Sequence, residues 1–93
     1  MGNQLYQPTT DAARAIGRHL QAGRRRRFPK DTQGAFARRL GVSRATYQKM
    51  EAGDLGVAWG SVLRAAQLLG LLDQIVAAFE PRKRSLWEDH SHG

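Results

Sequence analysis

The chain has 93 residues, which is enough for one domain, because a chain this short buries only about 60 to 65% of the surface that its unfolded form exposes. It contains no cysteine, which excludes disulfides and thiolate metal sites and suits a reducing compartment. The formal net charge of +7 favours a polyanionic partner. The longest apolar stretches are interrupted by polar residues, so we expect a soluble protein with no membrane segment.

Basic charge is concentrated in the first half of the chain. Residues 1–49 hold eleven lysines and arginines and two acidic residues, whereas residues 50–93 hold four basic and six acidic residues. The first half therefore carries +9 and the second half −2. Such asymmetry is typical of a nucleic-acid-binding protein, because each phosphate that is neutralised releases condensed counterions. A solvated basic surface is the alternative interpretation.

The N-terminal part of the chain predicts an arm followed by one helix. Residues 1–9 show no apolar periodicity, so we expect a flexible arm. A first helix is predicted from about Asp11 to Arg26, with these residues on its inward face: Ala12, Ala13, Ile16 and Leu20. The four consecutive arginines Arg24 to Arg27 would repel one another, which favours contact with a phosphate backbone over a solvated cluster.

The stretch TQGAFARRLGVSRATYQKMEAG, residues 32–53, predicts two short helices joined by a tight turn. Asp31 or Thr32 can cap the first helix by accepting a hydrogen bond from its first N–H groups. Gly41 can end that helix, because glycine adopts positive φ without a Cβ penalty. The stretch is therefore a candidate helix-turn-helix.

The second helix of this unit is predicted to run from its N-cap, Ser43, to Gly53. Tyr47 and Met50 repeat at i and i+3 and are expected to face the core. The opposite face is expected to meet whatever the protein binds, and its residues are Arg44, Ala45, Gln48 and Lys49.

Two further helices are predicted, from about Ala58 to Leu69 and from about Leu71 to Phe79. The last one has more apolar surface than so small a core can absorb, which predicts a dimer interface formed by Leu72, Ile75, Val76 and Phe79. Residues 81–93 are predicted to be a disordered tail. Within it, Trp87 is either an anchor for a partner or simply disordered.

An α-helix fits the DNA major groove, where side chains can read the edges of bases. Arg44 can form a bidentate contact with guanine, Ala45 can meet a thymine methyl group, and Lys49 can reach a base or a phosphate. Gln33, beside the positive end of the first short helix, is expected to touch the DNA backbone. The other candidate backbone contacts are Thr32, Ser43, Thr46, Tyr47 and Arg24.

No enzyme, metal or cofactor is expected. The chain has no HExxH motif and no glycine-rich loop with GK[ST], and its histidines lack catalytic partners.

The sequence TQGAFARRLGVSRATYQKMEAGD resembles the Xre/Cro-type helix-turn-helix family, which includes phage repressors and many antitoxins. The resemblance covers Ile16 to Leu72 and implies an all-α, five-helix, lambda-repressor-like domain, here over residues 10–80, in which Gln33 touches phosphate and the second motif helix enters the major groove. The longer stretch MEAGDLGVAWGSVLRAAQLLGLLDQI is similar to HipB-like proteins, which are encoded beside HipA-type kinase toxins. Tyr47 stands where the family has a smaller aliphatic residue, so we expect its hydroxyl at the DNA interface.

The sequence thus predicts a sequence-specific DNA-binding repressor, cytoplasmic and nucleoid-associated, that binds a palindromic operator as a homodimer and autoregulates its own operon. The alternative is an antitoxin of a HipBA-like toxin–antitoxin system, which neutralises a HipA-like kinase toxin by direct binding and uses DNA binding as feedback. In that case the less basic half would hold the toxin, through residues 54–59 and 82–87. A nonspecific nucleic-acid coater is disfavoured, because it needs no ordered turn.

Overall fold

The computed structural model describes the backbone of residues 3–81 and the side chains of residues 7–81. Over this range the chain forms five helices and no strand: α1 (Asn3–Arg27), α2 (Gln33–Leu40), α3 (Arg44–Ala52), α4 (Trp59–Leu68) and α5 (Leu72–Ala78). This confirms the predicted all-α, five-helix fold. None of the described helices is long and apolar enough to cross a membrane. Of the tail predicted at residues 81–93, residues 82–93, with Trp87, lie outside the described residues.

Helix α1 begins earlier than predicted. The sequence predicts a flexible arm over residues 1–9 and a helix from about Asp11, but α1 starts at Asn3 and contains Pro8. A proline removes one backbone hydrogen bond from a helix, and this loss does not end α1. The Gln7 side-chain amide donates to Asp11 Oδ1 at 2.8 Å, an i,i+4 contact that spans the proline. Only residues 1 and 2 of the predicted arm lie outside the described backbone.

Helix α1 packs against the C-terminal end of α3 through glycines. A Cβ atom added at Gly17 would lie 2.3 Å from the carbonyl oxygen of Glu51, and one added at Gly53 would lie 2.7 Å from Arg14 Cα. The two backbones therefore approach more closely than any side chain would allow. Gly17 fixes where the two helices cross.

The buried face of α1 is shifted from the predicted one. Ile16 is 52% exposed and Ala12 is exposed, whereas Leu20 is 5% exposed and Gly23 is buried. A Cβ atom at Gly23 would lie 3.1 Å from Leu69 Cδ1, so this glycine also marks a close helix contact. The prediction for Ile16 was wrong because glycines, and not the larger apolar residues beside them, meet the neighbouring helices.

The two helices of the helix-turn-helix are capped as the sequence predicts. At the start of α2, Thr32 Oγ1 accepts a hydrogen bond of 3.1 Å from a backbone N–H of the first turn, and Ser43 Oγ does the same for α3 at 3.0 Å. Gly41 and Gly53 end these helices with φ values of 75° and 82°, in the left-handed region that favours glycine. Both boundaries of α2 and α3 are thus fixed by local hydrogen bonds and backbone conformation.

The hydrophobic core lies where the first four helices meet. Phe36 of α2 and Tyr47 of α3 are 0% exposed, and their ring centroids are 5.1 Å apart. Phe28, in the connection between α1 and α2, covers this pair with its centroid 5.3 Å from that of Phe36. The remaining core residues are Leu20, Ala37, Leu40, Met50, Ala65 and Leu69. The aromatic contacts hold the two helices of the motif against each other.

Helix α4 covers the core with small side chains, which are Ser61, Ala65 and Ala66. Trp59, in contrast, is 57% exposed. It occupies the first position of α4, before the helix reaches the core at Ser61. Most of the Trp59 indole is therefore exposed to solvent.

Helix α5 presents most of its apolar surface to solvent. Val76 is 58% exposed and Phe79, immediately after the helix, is 77% exposed, while Leu72 and Ile75 are partly buried. These are the four residues that the sequence assigns to a dimer interface. Two of them are partly buried, and the other two are exposed.

Candidate nucleic-acid interface

Helix α3 has one buried side and one exposed side. Tyr47 is 0% exposed and Met50 is 4% exposed, and both pack in the core. The four predicted base-contacting residues are all exposed, and they are Arg44, Ala45, Gln48 and Lys49. The nine residues of α3 span roughly 13 Å, a length suited to a single passage through a major groove about 12 Å wide.

Tyr47 does not lie at the surface, and its predicted role as a DNA backbone contact was wrong. Its ring is fully buried between α2 and α1, and its hydroxyl makes no hydrogen bond within the described part of the chain. Burial raises the pKa of Tyr47 well above its usual range, so the hydroxyl stays protonated at neutral pH. Tyr47 has the inward position that its i,i+3 spacing from Met50 predicts.

Arg24 was also assigned wrongly, as a phosphate contact. The residue is only 7% exposed, and its guanidinium pairs with a carboxylate of the same chain: Nε lies 2.8 Å from Glu51 Oε2. Nη1 donates to the backbone carbonyl of Asp31 at 3.0 Å. Through these two contacts, Arg24 connects α1 to the end of α3 and to the segment between α1 and α2.

Glu51 is the centre of a hydrogen-bonded network that sequence reasoning missed. Its carboxylate accepts from Arg24 and, through Oε1, from the Gln33 side-chain amide at 2.8 Å. Burial opposes ionisation, but the bonds from Arg24 and Gln33 hold the pKa of Glu51 below its usual range. One signal was available in the sequence: a helix dipole disfavours an acidic residue in the last turn, so Glu51 at this place indicates a basic partner.

Gln33 joins this network to the exposed face of α3. While its amide nitrogen donates to Glu51, its carbonyl oxygen accepts from the Gln48 amide at 3.3 Å. Gln33 is partly exposed, and its nitrogen keeps a second hydrogen that can donate to a phosphate. The structure thus places Gln33, which is predicted to contact the DNA backbone, directly beside Gln48, which is predicted to contact a base.

The three serine and threonine hydroxyl groups predicted to contact the DNA backbone all form hydrogen bonds within the helix-turn-helix. Ser43 Oγ donates to Thr46 Oγ1 at 3.0 Å, in addition to capping α3. Thr32 Oγ1 is the N-cap acceptor of α2. An accepting hydroxyl still carries its own proton, so Thr32 and Thr46 each retain a donor for a phosphate oxygen.

Arg39 is a second arginine with a structural role. Its guanidinium forms a two-bond pair with Asp31, at 2.5 Å and 3.2 Å, and its Cζ lies 4.5 Å from the centroid of the Phe28 ring. The hydrogen bond from Arg39 lowers the pKa of the Asp31 carboxyl group. This contact fastens the α1–α2 connection to α2 and removes one positive charge from those available to DNA.

A shallow groove runs between α2 and the start of α3. It is lined by Thr32, Gly34, Arg38, Val42, Ser43 and Arg44. Arg38 lies next to Arg39 in sequence but faces this groove, and it makes no ion pair or hydrogen bond with any other described residue. The groove therefore lies beside the exposed face of α3 and carries positive charge.

Part of the arginine cluster at the end of α1 stays exposed. Arg25, Arg26 and Arg27 face solvent, in contrast to Arg24. Arg27 lies against the end of α4, where a Cβ atom at Gly70 would come within 2.9 Å of its Nη1. The cluster therefore divides into one buried structural arginine and three surface arginines.

Comparison with known proteins gives one result that matches this geometry. A family model described as a helix-turn-helix domain matches residues 15–79, from within α1 to the residue that follows α5. No curated protein and no solved structure gives a significant match. The matched range covers more than two thirds of the chain and contains the whole of α2 and α3.

Proposed function

The chain belongs to the helix-turn-helix domain family, and on this premise we propose that it is a sequence-specific transcriptional repressor that binds a palindromic operator as a homodimer. The observation that supports this most is the two-sided character of α3. Tyr47 and Met50 pack one side of α3 into the core, and the residues on the opposite side are exposed. A helix held in this way can enter the major groove without losing its packing.

The exposed residues of α3 can each contact a different base of a half-site. Gln48 can form two hydrogen bonds with adenine, Lys49 can bind guanine, and Ala45 can contact a thymine methyl group, while Arg44 stands at the start of the helix. Gln33 holds Gln48 through a 3.3 Å hydrogen bond, which limits the directions in which that amide can point. A side chain with restricted motion loses less entropy when it binds a base.

We propose that α5 forms the dimer interface. Val76 and Phe79 expose large apolar surfaces, which a second copy of the chain would cover around a two-fold axis. Two copies related in this way would present two α3 helices about 34 Å apart, the length of one turn of DNA. An inverted-repeat operator follows from that symmetry.

Repression follows from occupancy, because a dimer that covers two adjacent major grooves competes with RNA polymerase for the same DNA. We propose the chain's own operon as the target. The test is selection of bound sequences from a pool of random duplexes, followed by footprinting on the promoter of the operon. Enrichment of an inverted repeat that is also found in that promoter is the expected result. If no sequence is enriched over the starting pool, the proposal of specific repression fails.

A second function, that of an antitoxin, is favoured by the exposed apolar residues that follow α3. Leu55 is 58% exposed and Trp59 is 57% exposed, and both lie in the less basic half of the chain. We propose that these residues, with the segment 82–87, bind a HipA-like kinase toxin while α3 remains free for DNA. This would make DNA binding a feedback on the supply of antitoxin.

Co-purification with the product of the adjacent gene tests the antitoxin proposal. Full-length protein should retain that product, while the double variant Leu55→Ser/Trp59→Ser and a chain lacking residues 82–93 should lose it and still bind the selected DNA. If the full-length protein retains no partner, the antitoxin proposal falls and the repressor proposal stands.

A further inference from the structure

Two neighbouring arginines of α2 differ completely in their surroundings. Arg39 is paired with Asp31 and stacked on Phe28. Arg38 forms no ion pair or hydrogen bond with another described residue and interacts with the Asp31 carboxyl group only as a more distant charge; its side chain lines the groove between α2 and α3. The contacts of Arg39 give it a structural role, whereas Arg38 forms no such contacts.

The same groove is lined by a second arginine, Arg44. Its aliphatic chain lies over α2, since a Cβ atom at Gly34 would be 3.6 Å from Arg44 Cδ and 4.0 Å from Cγ. Gly34 has no side chain, so the aliphatic chain of Arg44 can lie close to the backbone of α2 at this point. Arg44 makes no ion pair with any residue between 7 and 81.

Two like charges that line one groove repel each other in the DNA-free protein, and an anion bound between them would remove that repulsion. A guanidinium group is a planar fork of donors that matches the oxygen atoms of a phosphate. Thr32 also lines the groove and keeps a hydroxyl proton for a third hydrogen bond.

We propose that this groove is a phosphate-binding site in which Arg38 and Arg44 hold one phosphate group together. The inference rests on the proposed function, because the phosphate it assigns is one in the DNA strand that borders the major groove occupied by α3. Arg44 then fixes the position of α3 on the duplex, and sequence is read by Ala45, Gln48 and Lys49. Arg38 becomes a DNA-positioning residue, a role that its exposed place on α2 alone did not indicate.

The test replaces single phosphates of a bound duplex with neutral methylphosphonates and measures the loss of affinity at each position. For the wild-type protein, one position beside each half-site should show a loss of roughly tenfold, the range of one charge-assisted hydrogen bond. In both Arg38→Ala and Arg44→Ala that loss should shrink at the same position, while losses at other positions persist. Arg18→Ala, which removes an exposed arginine of α1, is the charge-matched control and should leave the pattern unchanged.

A second arm asks whether free phosphate uses the same site. Inorganic phosphate is titrated into the DNA-free protein while the side-chain NMR signals of its arginines are followed. A saturable shift in the wild type that Arg38→Ala abolishes would support the site and identify free phosphate as a second source. A response to DNA phosphates alone would support the site and assign it to the duplex.

The outcome that overturns the inference is separate from failure of the proposed function. The inference fails if Arg38→Ala and Arg44→Ala reduce the methylphosphonate effect at different positions, or at none, and free phosphate has no effect. The groove is then not a phosphate site, even when the selected operator is bound specifically. If instead the selection enriches no sequence, the proposal of specific repression fails. The methylphosphonate scan of the wild type and the variants on a duplex of fixed sequence still tests the inference. Thermal melting of each variant checks that the fold is intact.

Discussion

Arg24 of α1 and Glu51 of α3 form an ion pair in which Nε lies 2.8 Å from Oε2 and only 8% and 5% of the two side chains are exposed. Gln33 of α2 donates to the same carboxylate. One acidic residue therefore connects the first three helices immediately behind the exposed face of α3. The position of that face therefore depends on a buried ion pair, Arg24–Glu51, that does not contact DNA in the proposed complex.

Arg24→Ala should lower the free energy of unfolding by about 3 kcal/mol, because it leaves a carboxylate buried without its counterion. Urea denaturation measures the change. The double variant Arg24→Met/Glu51→Leu is the control and should be more stable than Arg24→Ala, since it buries no unpaired charge. Unchanged stability, together with a weaker salt dependence of DNA binding, would restore Arg24 to the role of a phosphate contact.

Stability should decrease in acid. The folded pKa of Glu51 lies below its ordinary value of 4.5, and that of Asp31 below its ordinary value of 3.8. A lowered folded pKa adds stability that is fully present above the ordinary value and is lost as pH falls through the folded value. We expect the urea midpoint to drop from about pH 5 downwards, and less steeply in Glu51→Gln than in the wild type. Glu80→Gln, on an exposed residue, should follow the wild-type curve; an identical curve for Glu51→Gln would contradict the prediction.

Gly17→Ala should destabilise the fold by about 1 to 3 kcal/mol, because its Cβ atom would lie 2.3 Å from the Glu51 carbonyl oxygen and would force α1 and α3 apart. Gly60→Ala is the matched control. A Cβ atom there has its nearest contact at 3.9 Å, with Arg64 Nη1, so the change should be neutral or stabilising. Equal stability of the two variants would show that the close crossing of α1 and α3 is absent in solution.

Local signals in the sequence predicted the helix-turn-helix well. The caps at Thr32 and Ser43 and the helix ends at Gly41 and Gly53 depend on hydrogen bonds and dihedral angles within a few residues, so they can be read from the residue types alone. The inward direction of Tyr47 follows from periodicity. Its suggested exposure to DNA came from comparison with smaller residues at that position in a family, and the structure accommodates the larger ring against Phe36.

Contacts between distant residues could not be predicted in the same way. Arg24 and Glu51 are 27 positions apart, and no pattern in the sequence distinguishes Arg24 from Arg25 or Arg38 from Arg39. Which arginine meets a carboxylate is decided by where the helices cross. That crossing is set by Gly17, a residue that helix propensity marks only as unfavourable.

Phe79→Asp should convert the proposed dimer to monomers, because a charge would replace the most exposed large apolar residue at the end of α5. Sedimentation equilibrium at micromolar concentration measures the state of association. Gln74→Asp introduces the same charge at an exposed site of α5 and serves as the control. A wild-type protein that sediments as a monomer, or a Phe79→Asp variant that remains a dimer, would count against α5 as the interface.

The central claim is that the exposed face of α3 reads DNA sequence, and the most direct test is a binding profile over every single-base variant of the selected operator. We measure this profile for the wild type, for Gln48→Ala and for Gln67→Ala, a matched change on the exposed surface of α4. Gln48→Ala should lose about 1 to 3 kcal/mol of discrimination at one base pair of each half-site and keep its preferences elsewhere, while Gln67→Ala keeps the full profile. The claim would be contradicted if Gln48→Ala lost affinity equally for operator and random DNA and kept its base preference at every position.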